Sequence, residues 1–245
     1  MRSIMCQLCL NREATDFSNN ITNPVPQNSG GSTTTLSQIY TALDSGFSWS
    51  DSNGQAANVT YSFSGPWATG TGAYGEEVSQ LSTADRAQIS DILQSFADVA
   101  NLTFTEVTSG DGDIAFRNGD LAETGVSGYA YFPGFGIGGD VTLESPDTLG
   151  ALIPGDVAYY VAVHEIGHAL GLDHPFADTS ITAKAGGIPS SELLTDFTAM
   201  AYEGPTSINA PQIYDIAMLQ LLYGANNSYN AGDTNYSFNS GYTAI

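Results

Sequence analysis

The chain has 245 residues, 42% of them hydrophobic, enough for one full-size domain with a core and a short extra segment at either end. Five Lys and Arg against 26 Asp and Glu leave a formal charge of −21, which repels phosphate backbones and anionic membranes. Neither nucleic acid nor membrane is therefore an expected partner, and no apolar run has the length of a membrane helix.

In chain order, residues 1–35 are rich in Asn, Ser, Thr and Gly, with Pro24 and Pro26, and read as an irregular leader. The first ten residues hold a broken apolar run and no small-residue cleavage site, a poor secretory signal. The only two cysteines, Cys6 and Cys9, lie here. Their C-x-x-C spacing suits a metal chelate, a redox pair or a small disulfide. Leu36, Ile39, Tyr40 and Leu43 follow helical spacing, which stops at Gly46, and Val59–Phe63 alternates like a strand. Ser82 and Asp85 suit the start of a longer helix, with Ile89, Ile92, Leu93, Phe96 and Val99 on one face. Strands are predicted over 102–107, 114–117, 129–132 and 141–144. Asp111 and Asp113, in a Gly-rich stretch before a strand, read as a turn.

Pro154-Gly155-Asp156 opens a helix running to about Leu170, and Pro211 opens a last one that Gly224 ends. Residues 227–245 are polar. Strands interleaved with helices, followed by a long irregular stretch, imply a mixed α/β (α+β) domain with a cleft, over residues 36–226.

The chemistry concentrates in one helix. His164-Glu165-Ile166-Gly167-His168 reads H-E-x-x-H, and Gly171 and His174 extend it to H-E-x-x-H-x-x-G-x-x-H. Two His four apart project from one helix face, near enough to share an ion. On a continuing helix the third would lie about 9 Å further along the axis. Gly171 adopts positive φ at little cost, so it ends the helix and lets His174 fold back as a third ligand. Three nitrogens leave a fourth position for water, which is the pattern of a catalytic zinc. Glu165, on the adjacent face, is placed to take a proton from that water. All three His of the chain fall on these ligand positions, which argues against chance.

His164 to Pro175 resembles the zinc helix of the serralysin family, in the metzincin clan of zinc peptidases. The resemblance extends to Thr198-Ala199-Met200-Ala201-Tyr202 as a Met-turn, to 212–226 as a closing helix, and to 36–63 as the start of the protease domain. Ala201 and Glu203 stand where the family usually carries Ser and Trp. The family's Gly-Gly-x-Gly-x-Asp repeats, which bind calcium in a β-roll, are absent, so no repeat supports calcium here.

The resemblance implies a zinc metalloendopeptidase with one catalytic ion on His164, His168 and His174, Glu165 as base, Met200 beneath the metal and Tyr202 as an oxyanion donor. It implies a twisted, mostly parallel five-stranded sheet with an antiparallel edge strand, above an irregular lower half closed by the C-terminal helix. Gly128, Tyr129, Ala130, Tyr131 and Phe132 are the candidate edge strand for a protein or peptide substrate. It further implies a monomer, secreted by a route independent of a signal peptide. Cys6 and Cys9 are candidate inhibitory zinc ligands, by analogy with the cysteine switch of the matrixins, a sister family. Two other readings stand beside it: a silent binding module on a protease scaffold, and a zinc hydrolase of a non-peptide amide.

Overall fold

The computed structural model describes residues 34–177 and 182–232. Helix α1 (Leu36–Leu43) begins in a capping box made by Thr35 and Gln38. Strand β1 (Ala57–Ser62) and a two-residue strand β2 (Val78–Ser79) lead to helix α2 (Thr83–Val99). There the Ser82 hydroxyl accepts the Asp85 N–H at 3.1 Å, the cap predicted from the sequence. Strands β3 (Leu102–Glu106), β4 (Ile114–Gly119), β5 (Gly128–Ala130) and β6 (Val141–Glu144) follow. A single turn, α3 (Pro146–Leu149), then α4 (Val157–Ala169) and α5 (Ile213–Tyr223) complete the set.

The sheet runs β3-β1-β4-β6-β5, with the first four strands parallel and β5 antiparallel at the end. β2 pairs antiparallel with the last residues of β4, off this path. The architecture is thus the expected α+β one, and β2 is an addition. Helix α2 packs on β3, α4 on β5 and β6, and α2 and α4 touch each other. The main core lies between sheet and helices, from Val59, Phe116 and Val141 to Ile92, Phe96, Val163 and Ile166. Because side chains alternate along a strand, Tyr129 and Tyr131 point to the opposite face, where with Leu121 and Trp67 they form a second, smaller core. Arg117 is buried beside it, stacked 3.6 Å from the Trp67 ring centroid and donating to the Tyr129 hydroxyl at 2.7 Å.

Some details differ from the sequence reading. The β5 ladder ends at Ala130 rather than Phe132, because the Gly139 N–H bonds the carbonyls of both Tyr131 and Phe132 and closes the hairpin there. β2 and α3, at two and four residues, are too short to leave a periodic signal. Helix α5 starts at Ile213, two residues after Pro211, and ends at Gly224, whose φ is +79°. Between α4 and α5 the described chain is irregular apart from a 3₁₀ turn at Ser190–Glu192.

Candidate metal centre

Helix α4 is buried on nearly all sides, which fixes its side chains in space. His164 and His168 share one face, and their Nε2 atoms lie 3.1 Å apart. The helix stops in a Schellman motif: the Leu172 N–H reaches the Gly167 carbonyl, and the Gly171 N–H reaches that of His168. Gly171 sits at φ +96°, and a Cβ there would lie 2.2 Å from the Phe47 carbonyl oxygen. The reversal brings His174 back, with its Nε2 3.1 Å from each of the other two.

This triangle is not a hydrogen-bonded one. His164 Nδ1 lies 2.8 Å from the Ala199 carbonyl oxygen, and His168 Nδ1 lies 2.7 Å from that of Leu172. A carbonyl only accepts, so these Nδ1 atoms carry the protons and both Nε2 atoms present lone pairs to the centre. Two lone pairs converging in a buried space, with a third imidazole nitrogen beside them, suit a cation at their centre. Nitrogens 3.1 Å apart are close enough that all three could bind one ion at the usual zinc–nitrogen length of about 2.0–2.1 Å. The donor set, three buried imidazoles of which His164 and His168 are oriented through their outer nitrogens, fits zinc.

Three aromatic residues shape the centre. The Tyr202 hydroxyl is 2.8 Å from His174 Nε2, at the mouth of the triangle. Phe176 stacks on the His174 ring with centroids 4.9 Å apart. Phe132 meets His168 edge-on at 5.6 Å. Glu165 is buried on the same helix, turned toward the edge strand: a Cβ on Gly128 would lie 3.0 Å from its Cγ and 3.2 Å from its Oε1. Met200 is fully buried below, and a Cβ on Gly167 would lie 2.6 Å from its Sδ. All the candidates of the zinc helix and Met-turn are therefore gathered in one place. Tyr129 and Tyr131 belong to the second core on the other face, and Cys6 and Cys9 lie outside the described residues.

The sequence places Asp215 in the closing helix but gives it no role at the site. Its carboxylate is fully buried in the first turn of α5 and accepts Thr198 Oγ1 at 2.5 Å, Ala199 N–H at 2.7 Å and Gln212 N–H at 2.8 Å. Burial pushes this carboxyl up to about 6 against the pull of those three donors. Ala199 also supplies the carbonyl that orients His164, so α5 reaches the candidate metal centre through one residue. Tyr160 adds a second tie by donating to the Ala201 carbonyl. A lone Asp on a helix carries no such message in its spacing, which is why it escaped notice.

Comparison with known proteins agrees with this geometry. The family model described as matrixin, a peptidase family, matches residues 72–191. Metallopeptidase AprA of Pseudomonas marginalis is 35% identical over 190 residues, covering 66% of this chain and 38% of that protein. Serralysin A of Dickeya chrysanthemi is 33% identical over 213 residues, covering 79% of this chain and 44% of its own. Metalloprotease AprA of Pseudomonas entomophila is 34% identical over 227 residues, covering 81% and 46%. The chain spans less than half the length of these curated relatives.

Proposed function

We propose that this serralysin homologue, which carries a matrixin-type peptidase segment, is a zinc endopeptidase that hydrolyses protein and peptide substrates. The observation that carries the reading is the 3.1 Å triangle of His Nε2 atoms, with Glu165 on the same helix. Zinc held by His164, His168 and His174 would supply Lewis-acid activation of water and of the scissile carbonyl. Glu165 takes one proton from the attacking water and delivers it to the leaving nitrogen as the C–N bond breaks. The Tyr202 hydroxyl donates to the oxyanion formed at the carbonyl, a contribution of about 3 kcal/mol for one such donor. Met200 supports the ligand helix from below.

The substrate runs along β5. Ser127 and Tyr131 direct their main-chain groups at β6, so by alternation Gly128 and Ala130 direct theirs at the open side. A bound peptide adds there as one more strand, beside Glu165. Glu165→Ala should keep zinc and lose turnover by about 10²–10⁴-fold on casein, the usual worth of a general base. Casein hydrolysis at the wild-type rate by the zinc-loaded variant would refute the assignment.

The wider reading places residues 36–226 as the catalytic domain between a leader (1–35) and a tail (227–245), in a monomer acting outside the cell and exported without a signal peptide. The serralysin kinship supports the extracellular location in this reading. It also includes latency, with a thiolate of Cys6 or Cys9 on the fourth zinc position. Replacing both with Ser should raise the activity of freshly purified protein. Unchanged activity together with unchanged zinc coordination ends the latency idea and leaves the peptidase standing.

A further inference from the structure

Two of the three ligands are fixed by one helix, but the third depends on how the chain after Gly171 is held. That segment is stapled to the end of α1. The Asp173 N–H donates to the Leu43 carbonyl at 2.8 Å, and Leu172 pairs with Asp44 as an isolated antiparallel bridge. Asp173 Oδ1 accepts the His174 N–H at 2.8 Å. Its Oδ2 lies 2.6 Å from Lys184 Nζ, and the same ammonium donates to the Ala42 carbonyl at 2.8 Å. Lys184 is brought there by the Phe176–Ala183 bridge and lies at the C-terminal end of α1, where a cation is favoured. It is the only lysine in the 245 residues.

We propose that Lys184 is a positioning residue for the metal centre: through Asp173 it fixes the main chain of His174, so that zinc binding and the Lys184 contacts stabilise each other. The inference rests on the zinc reading above and adds a residue that touches neither ion nor ligand ring. Its physical basis is the unequal support of the ligands. His164 and His168 are held by a buried helix and by carbonyls on Nδ1, whereas the His174 backbone is held by a carboxylate whose second oxygen is committed to one ammonium. Both side chains are only about a fifth to a quarter exposed, at 21% and 24%, so water is a partial substitute for the lost partner. Coupling of this kind is reciprocal: if the clamp raises zinc affinity, zinc must tighten the clamp by the same factor.

Zinc affinity of the full chain, measured by competition with a chromophoric chelator, reads one side. Lys184→Met keeps the stem and loses the ammonium, and should weaken zinc binding about 10–100-fold, the usual cost of an outer-shell partner. Lys184→Arg should recover most of the loss by keeping charge and donors, a rescue that a purely packing role does not give. Asp173→Asn combined with Lys184→Met should bind no more weakly than the worse single variant. The other side is read on the wild type by acylation with an N-hydroxysuccinimide ester and peptide mass mapping. Lys184 should react several-fold faster without zinc than with it. Zinc affinity of the Met variant within twofold of wild type, or acylation unaffected by zinc, overturns the clamp. A wild-type chain unable to bind zinc at all overturns the zinc reading itself.

Discussion

Gly167 lies in the last turn of α4, where alanine still favours a helix over glycine by up to about 1 kcal/mol. Here the space for a methyl group is taken: a Cβ would sit 2.6 Å from Met200 Sδ and 3.5 Å from Leu172 Cδ1. Met200 is fully buried, so it has little freedom to withdraw. Overpacking of this kind costs about 1–3 kcal/mol, and it outweighs the propensity gain. Gly167→Ala should therefore destabilise the zinc-loaded protein. In a Met200→Ala background the sulfur is gone, and the same substitution should become neutral or stabilising. Urea unfolding of the four proteins checks both signs. A destabilisation of equal size in both backgrounds would mean that the Met-turn does not define the space under the helix. Gly171 differs in kind, because its φ of +96° and the Phe47 carbonyl 2.2 Å from a would-be Cβ both forbid a side chain.

Helix α4 carries two of the proposed ligands and the proposed base, but its alignment is set by elements far away in the chain. The Met-turn meets α4 from below through Met200, through the Ala199 carbonyl on His164, and through the Ala201 carbonyl that Tyr160 holds. The Met-turn is in turn fixed by Asp215 on α5, which satisfies Thr198, Ala199 and its own cap residue Gln212 at once. This order explains what could be read beforehand. The ligand helix was legible because metal coordination dictates residue types at fixed spacings, and Gly171 marks the reversal that the third ligand needs. The β5 position was legible, but its end was not, since Phe132 is claimed by the hairpin that Gly139 closes. Asp215 and Lys184 act through main-chain groups of residues 16 and 142 positions away, and no local pattern encodes such a partner. The Arg117 network is hidden for the same reason: Trp67, Tyr129 and Thr142 meet it only once the sheet has formed.

At the scale of the whole molecule, cations are scarce, and every one in the described residues is committed. Arg86 donates to the Leu81 carbonyl, Arg117 is buried against Trp67, Tyr129 and Thr142, and Lys184 pairs with Asp173. A buried acid elsewhere must therefore manage without a dedicated counter-ion. Asp140, at the entry to β6, is such a group. It is 2% exposed, and its Oδ1 accepts the Ala115 N–H at 2.8 Å. Burial pushes its carboxyl up to about 8, the nearby charge of Asp111 adds to the rise, and the Ala115 bond and Arg117 oppose it. The folded protein therefore keeps this proton through neutral pH, whereas the unfolded chain releases it near the ordinary value of about 4. Stability linked to the retained proton is complete below about 4 and is lost as pH climbs to about 8. Asp140→Asn keeps an acceptor for Ala115 and never ionises. Compared at saturating zinc, so that the imidazoles contribute alike, the variant should gain on wild type between pH 6 and pH 8 by about 1.4 kcal/mol per pH unit at most. Above that range the difference should level off. Urea denaturation at half-unit pH steps measures it, and parallel stability curves for the two proteins would show that Asp140 is ionised in the fold despite its burial.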